Sequence, residues 1–130
     1  MPLPRPTELT EPFWAAAAEG RLLLPKCDEC GRCFFRPEYY CTHCASARWH
    51  WIESEGRGTL YSFSTVHRAP TTAFRVPYVI VAVDLDEGVA MLSNLDGCDP
   101  ADARIGMRVR VGFQPVAAGV ALPIFRPEEP

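Results

Sequence analysis

The chain has 130 residues, 48% of them hydrophobic, with a formal net charge of −3 and a single lysine, Lys26, among 13 basic residues. That length and apolar content suit one modest domain or two small modules and exclude wholesale disorder, while the scattering of the cations, seven in positions 1–58 and six beyond, weighs against nucleic acid, whose binders concentrate charge on one face. No apolar run reaches the roughly 18–20 residues of a membrane span, and Met1-Pro2-Leu3-Pro4-Arg5-Pro6 has no signal-type apolar core, so a soluble, cytoplasmic protein without a membrane partner is expected.

Residues 1–9 are proline-rich and predicted to be extended. Thr10 is placed to cap a short helix, with Glu11 and Pro12 in its first turn and Gly20 at its end. Phe13, Trp14, Ala17 and Ala18 would share one side of it, packed on the chain's own core or on a partner. Residues 22–24, three leucines, read as a short strand leading into a segment (25–45) of cysteines, turn residues and Phe34-Phe35 where little regular structure fits. From Trp49 onward the texture turns to β. Residues 57–66 alternate as a strand, 78–85 form a second, and Asp86-Glu87-Gly88 is a hairpin turn into 89–95. A turn or single helical turn at Asp99-Pro100-Ala101-Asp102 precedes a fourth strand at 105–113, and 120–125 is the fifth. Five short strands predict a small barrel, since closure removes exposed edges; an OB-type Greek key fits best, with a small sandwich as the alternative. The expected fold class is mainly β. It comprises an N-terminal arm and helix over 1–21, a zinc ribbon over 22–48 and a five-stranded OB-fold domain over 49–130.

Cys27-Asp28-Glu29-Cys30 and Cys41-Thr42-His43-Cys44 are two C-x2-C pairs with ten residues between them. In a reducing compartment such pairs hold metal more often than they form disulfides. Two-residue spacing lets one tight turn aim both sulfurs at a single ion, and two such turns complete the tetrahedron that zinc prefers. Gly31 follows the first pair, where the turn wants φ > 0; after the second pair Ala45 takes that place, a poorer fit. Four thiolates leave no position for water or substrate, so the site is expected to be structural, its binding energy acting as folding energy. Iron would use the same ligands. Cys33 also forms a C-x2-C pair with Cys30, but sharing Cys30 would distort the turn, so Cys33 is left out. Cys98 is expected as a free thiol, His43 pointing outward, and His50 packed or exposed without being a ligand.

No nucleophile-elbow serine, glycine-rich phosphate loop, H-E-x-x-H or dinucleotide fingerprint is present. A Cys98–His67 nucleophile pair has no local support. Asp84 and Asp86 share a strand face, but carboxylates beside a hairpin tip are usually just solvated. His67-Arg68-Ala69-Pro70, running on from Thr71 to Pro77, is more informative, because the loop between the first two strands of an OB barrel borders the ligand face. With His67 beside them, Arg68 and Arg75 are candidates to meet phosphates and Phe74 to stack on an adenine; a plain surface loop is the alternative.

A set of motifs spread over the chain carries a resemblance. They are Phe13-Trp14, Leu22-Leu23-Leu24-Pro25-Lys26-Cys27, Arg36-Pro37, Gly58-Thr59-Leu60, Thr65-Val66-His67-Arg68-Ala69-Pro70, Ile105-Gly106-Met107-Arg108-Val109 and Leu122-Pro123-Ile124-Phe125-Arg126-Pro127. Jointly, from about Phe13 to Pro127, the chain resembles the zinc-ribbon/OB-fold proteins of acyl-CoA metabolism, long known as a domain of unknown function. The resemblance implies an N-terminal helix, a rubredoxin-like zinc ribbon with Zn2+ on Cys27, Cys30, Cys41 and Cys44, and an OB barrel. It also implies partners: thiolases, the aldolases of steroid side-chain breakdown, hydroxymethylglutaryl-CoA synthase or hydratase subunits. Cys33 and Ala45 depart from the family pattern, where a non-cysteine and a glycine are usual. The role implied is a non-catalytic accessory subunit that binds acyl-CoA or scaffolds a thiolase-like or aldolase partner, in a homo- or hetero-oligomer. Phe34, Phe35, Tyr39 and Tyr40 would offer the partner an aromatic patch. The alternative from another class is an OB-fold and zinc-ribbon module binding nucleic acid, which the acidic balance disfavours; a stand-alone enzyme ranks last.

Overall fold

A computed structural model describes residues 3–68 and 76–128; the expected ligand residues Phe74 and Arg75 lie outside this set. Pro12 sits in the first turn of helix α1 (Glu11–Ala18), where its missing N–H breaks no helical bond. Thr10 occupies the N-cap position without capping. Its hydroxyl accepts the Thr7 N–H at 2.9 Å, while Thr7 Oγ1 accepts the Thr10 N–H at 3.1 Å. The helix ends in a Schellman motif, with the Arg21 N–H on Ala16 O (2.9 Å), the Gly20 N–H on Ala17 O (3.0 Å) and Gly20 at φ +80°. Phe13, Ala16 and Ala17 form the buried stripe at i, i+3, i+4; Trp14 is half-buried and Ala18 exposed, contrary to expectation.

Strands β1 (Leu23–Cys27) and β2 (Trp49–Glu53) pair antiparallel, Leu23 opposite Glu53 and Cys27 opposite Trp49. The first strand runs on through Pro25, past the expected 22–24, because a two-stranded ribbon leaves one edge free of N–H partners. Five further strands, β3 (Arg57–Val66), β4 (Tyr78–Leu85), β5 (Ala90–Leu95), β6 (Arg108–Ala117) and β7 (Val120–Pro127), close into a barrel in the order β3-β4-β5-β7-β6. β5 and β7 alone meet in parallel, through the single rung Leu95–Phe125. This is the strand order of a five-stranded OB Greek key, as expected. The fourth barrel strand starts later than expected. Gly106, at φ +89°, turns the chain and donates to Leu60 O at 2.8 Å, so the ladder begins at Arg108 and continues to Ala117. Between β5 and β6, Asp99 Oδ1 accepts the Ala101 N–H (2.9 Å) and starts a 3-10 turn, Pro100–Asp102.

Alternation puts Val79, Val81, Val83 and Leu85 of β4 inside, with Leu60, Met91, Leu95, Val109 and Phe125. Phe13, Leu22, Leu24 and Cys33 belong to the same buried cluster, so helix and ribbon share the barrel's core. A smaller cluster, Cys27, Phe34 and Cys41 with Trp49 against it, lies within the ribbon. One serine ties the two parts at their junction. Ser54 donates through its N–H to Leu22 O (2.8 Å) and through Oγ to Glu87 Oε1 (2.9 Å), and its Oγ accepts the Gly56 N–H (2.9 Å). Glu87 Oε2 also receives the Glu55 N–H at 3.0 Å, so the residue at the hairpin tip is a clasp. No helix among the described residues is long and apolar enough to cross a membrane.

Candidate metal centre and ligand slot

The same reverse turn is built twice. Gly31 N–H bonds Cys27 O at 3.2 Å and Ala45 N–H bonds Cys41 O at 2.9 Å. Gly31 takes φ +73° freely, whereas Ala45 takes φ +63° against its own Cβ, at a cost of about 1–2 kcal/mol. These turns carry the Sγ atoms of Cys27, Cys30, Cys41 and Cys44 to within 4.8 Å of one another, with Cys27–Cys44 at 3.5 Å and Cys30–Cys41 at 3.7 Å. Zinc–sulfur bonds of about 2.3 Å in a tetrahedron set sulfurs roughly 3.8 Å apart, so the donor set fits zinc. The N–H groups of Glu29 and Cys30 face Cys27 Sγ at 3.4 and 3.5 Å, and the His43 N–H faces Cys41 Sγ at 3.3 Å, all favouring thiolate. The Cys30 N–H leads in holding the Cys27 thiol down to about 7. Cys44, against the pull of the Ser46 backbone, is pushed up to about 12, chiefly by the Cys27 sulfur beside it. Four sulfurs this close cannot all ionise without a cation among them. Cys27 and Cys41 are buried and Cys30 and Cys44 exposed, so the centre lies at the ribbon's surface.

Cys33 stands apart from the centre. It is buried in the main core, which raises its thiol, while its carbonyl lies 3.2 Å from Nε2 of the exposed His43. His50 is exposed and pairs with Asp28, and Cys98 is half-buried; neither joins the cluster. Asp86 is no acid–base partner of Asp84, since both its oxygens accept from Arg108 at 2.8 Å and hold the carboxyl below its usual range.

A slot of about 510 Å3 opens between helix, ribbon and barrel, lined by Phe13 and Trp14 of α1, Phe35 of the ribbon, Leu92 of β5, and Leu122 and Ile124 of β7. Arg36, Glu38, Asn94 and Gln114 are its longer polar side chains. Phe13 meets Trp14 edge-on at 5.0 Å and Phe35 at 5.8 Å, which fixes the aromatic wall. Of the expected aromatic patch, Phe34 is instead wholly buried, 5.7 Å from Trp49, and Phe35 turns into the slot; Tyr39 and Tyr40 are 61% and 62% exposed. His67 and Arg68 are exposed where the β3–β4 loop begins, and neither lines the slot. Sequence reasoning missed the slot, although Met91-Leu92 signalled it: two consecutive apolar residues in one strand supply both faces of the wall, and Leu92 is 75% exposed.

Two family models match the chain, the rubredoxin-like zinc ribbon domain of ChsH2 over residues 14–50 and its C-terminal OB-fold domain over residues 51–114. A probable enoyl-CoA hydratase alpha subunit from Thermomonospora curvata is 37% identical over 119 residues, which are 91% of this chain and 37% of that protein. The chain therefore spans little more than a third of that relative's length. A DUF35 domain-containing scaffold protein from Methanocaldococcus jannaschii is 33% identical over 95 residues, 72% of this chain and 67% of that one. In the solved structure described as an Ltp2-ChsH2(DUF35) aldolase, one chain matches with a TM-score of 0.86 at 34% identity, covering 95% of this chain and 98% of that chain. With its four-sulfur zinc site, shared core and five-stranded barrel, the chain belongs to the ChsH2-type DUF35 family of rubredoxin-like zinc ribbon and OB-fold proteins.

Proposed function

We infer that this chain is a non-catalytic, scaffold-type subunit that docks an aldolase or thiolase-like enzyme and lines part of the path of its acyl-CoA thioester. The observation that carries the reading is the likeness, over nearly all of both chains, to a chain of the Ltp2-ChsH2(DUF35) aldolase. A closed four-sulfur centre suits a support role, because no coordination position is left for substrate. The slot's volume lies in the range of small-molecule sites, and its apolar wall suits an acyl chain. Tyr39 and Tyr40, beside Trp49 and Trp51, present the aromatic surface that interface cores favour. His67 and Arg68, with Phe74 and Arg75, are proposed contacts for the nucleotide end.

Co-expression with a thiolase-like or aldolase reading frame from the same locus tests this. A stable complex, with acyl-CoA binding seen by calorimetry, is the expected result. A well-behaved monomer that holds no such enzyme and ignores acyl-CoA would sink the reading. A hydratase partner is the second reading, favoured by the 91% coverage against the hydratase alpha subunit; hydration of an enoyl-CoA by the purified complex would select it. Salt-sensitive binding of single-stranded nucleic acid, with no thioester binding, would favour the nucleic-acid alternative.

A further inference from the structure

Three arginines stand in one row across three neighbouring barrel strands. Arg57 of β3 is the direct register partner of Arg110 of β6, and Arg110 is the direct partner of Arg126 of β7. Residues directly opposite share a face, and here the alternate residues Gly58, Val109 and Phe125 fill the interior, so the row lies on the barrel's outer wall. All three arginines are exposed, and they line a groove of about 460 Å3 together with Gly97, Gly112 and one acid, Glu128. Gly112 is the next residue on the same face as Arg110, and a Cβ there would meet only Arg126 Nε, at 3.9 Å, so the surface beside the row is open.

Like charges directly opposite on adjacent strands repel one another and destabilise the sheet. Carboxylates relieve this row only at its ends. Glu128 lies 3.3 Å from Arg57 and 3.7 Å from Arg108, and Asp96 lies 3.7 Å from Arg126. Arg108 itself is committed to Asp86. Arg110, at the centre, has no ion pair or side-chain hydrogen bond among the described residues. The arrangement leaves one surplus cation in the middle of a concave groove. Strands about 4.8 Å apart spread the three stems over about 10 Å, near enough for their long guanidinium arms to converge on one diphosphate.

We propose that this row is a binding site for a phosphate-bearing small molecule of pyrophosphate type, held by Arg110 at the centre with Arg57 and Arg126 on either side. It is distinct from the β3–β4 loop: Arg57 opens β3, whereas His67 follows its far end. The inference does not need the acyl-CoA reading, and it survives if that reading fails. Guanidinium recognises phosphate through paired, charge-assisted hydrogen bonds, and the flanking ion pairs, long at 3.3 and 3.7 Å, are weak enough to yield to a dianion.

Calorimetric titration of the full chain with sodium pyrophosphate tests it, alongside Arg110→Gln, Arg126→Gln and, as a control outside the row, Arg104→Gln. Saturable binding is expected, weakened by added salt and by about tenfold in each row variant, but unchanged in the control. Arg110→Gln should also melt no lower than wild type, because it relieves repulsion; a structural role would lower the melting point. Coenzyme A displacing pyrophosphate identifies the coenzyme as the source of the phosphate, and pyrophosphate binding undisturbed by coenzyme A identifies a different phosphate ester. Absence of pyrophosphate binding, or equal binding by wild type and both row variants, overturns the site.

Discussion

Replacing Ser54 by alanine removes one oxygen from the junction of ribbon and barrel. Ser54 is only 8% exposed, and its Oγ both donates to Glu87 Oε1 and accepts the Gly56 N–H, each at 2.9 Å. The bond to the carboxylate is worth about 1.5–3 kcal/mol, and a buried N–H left without an acceptor costs about 1–3 kcal/mol. Glu87 keeps the Glu55 N–H and is half-exposed, so the lower half of each range applies, for a total of about 2.5–4 kcal/mol. At about 2.1 cal/mol/K per residue, 130 residues unfold with about 0.27 kcal/mol/K, and Ser54→Ala should lower Tm by about 9–15 °C. Urea and thermal denaturation followed by circular dichroism measure this. A double-mutant cycle with Glu87→Gln isolates the pair, and a coupling energy of about 1–2 kcal/mol is expected. If Ser54→Ala falls within about 0.5 kcal/mol of wild type, or the two substitutions add without coupling, the clasp does not hold the junction.

Chelation, or Cys41→Ser, should melt residues 28–48 while β4 keeps its amide protection, because the ribbon's own buried cluster is small; metal analysis with hydrogen exchange reads this, and simultaneous loss of β4 protection would refute it. Gly58→Ala would set a Cβ 2.6 Å from Asp84 O and 2.7 Å from Val83 Cγ1, on the very strand β3 must pair with, so it should cost about 1–3 kcal/mol. An unchanged urea midpoint would contradict that close approach. Arg108 holds the Asp86 carboxyl below its unfolded value, so the stability it contributes is present above the unfolded pKa and lost as pH falls through the folded one. Asp86→Asn should therefore be less stable than wild type near neutrality and converge with it in acid. A gap that persists unchanged down to pH 2 would exclude the pair as its source.

The four-cysteine centre was legible because its information is local: two residues between sulfurs and a turn residue after each pair define the geometry. The hairpin at Gly88 and the presence of five barrel strands followed from alternation and turn chemistry for the same reason. What escaped was decided at a distance or by competition. Thr7 outcompetes the helix end for the Thr10 hydroxyl. Ile105 mimics a strand's apolar beat although it is 72% exposed beside a turning glycine. Asp86 was read as solvated because its partner Arg108 lies 22 residues on. Which of Phe34 and Phe35 turns inward depends on the ribbon's folded path, and the slot draws on five separate segments, so no single window of sequence contains either.

The parallel seam of the barrel has a consequence for its mechanics. β5 and β7 touch at one rung, with the Ser93 hydroxyl bracing Pro123 O at 2.8 Å and Pro123 itself bringing no N–H. The slot's barrel side, residues 91–94 and 122–124, flanks this gap. The cavity thus lies against the most thinly bonded seam of a closed barrel. Main-chain bonding across this seam is confined to its Leu95–Phe125 end, where the Asp96 N–H also reaches Phe125 O at 2.8 Å. Parting the two strands beside the slot would break few main-chain bonds, because few join them there.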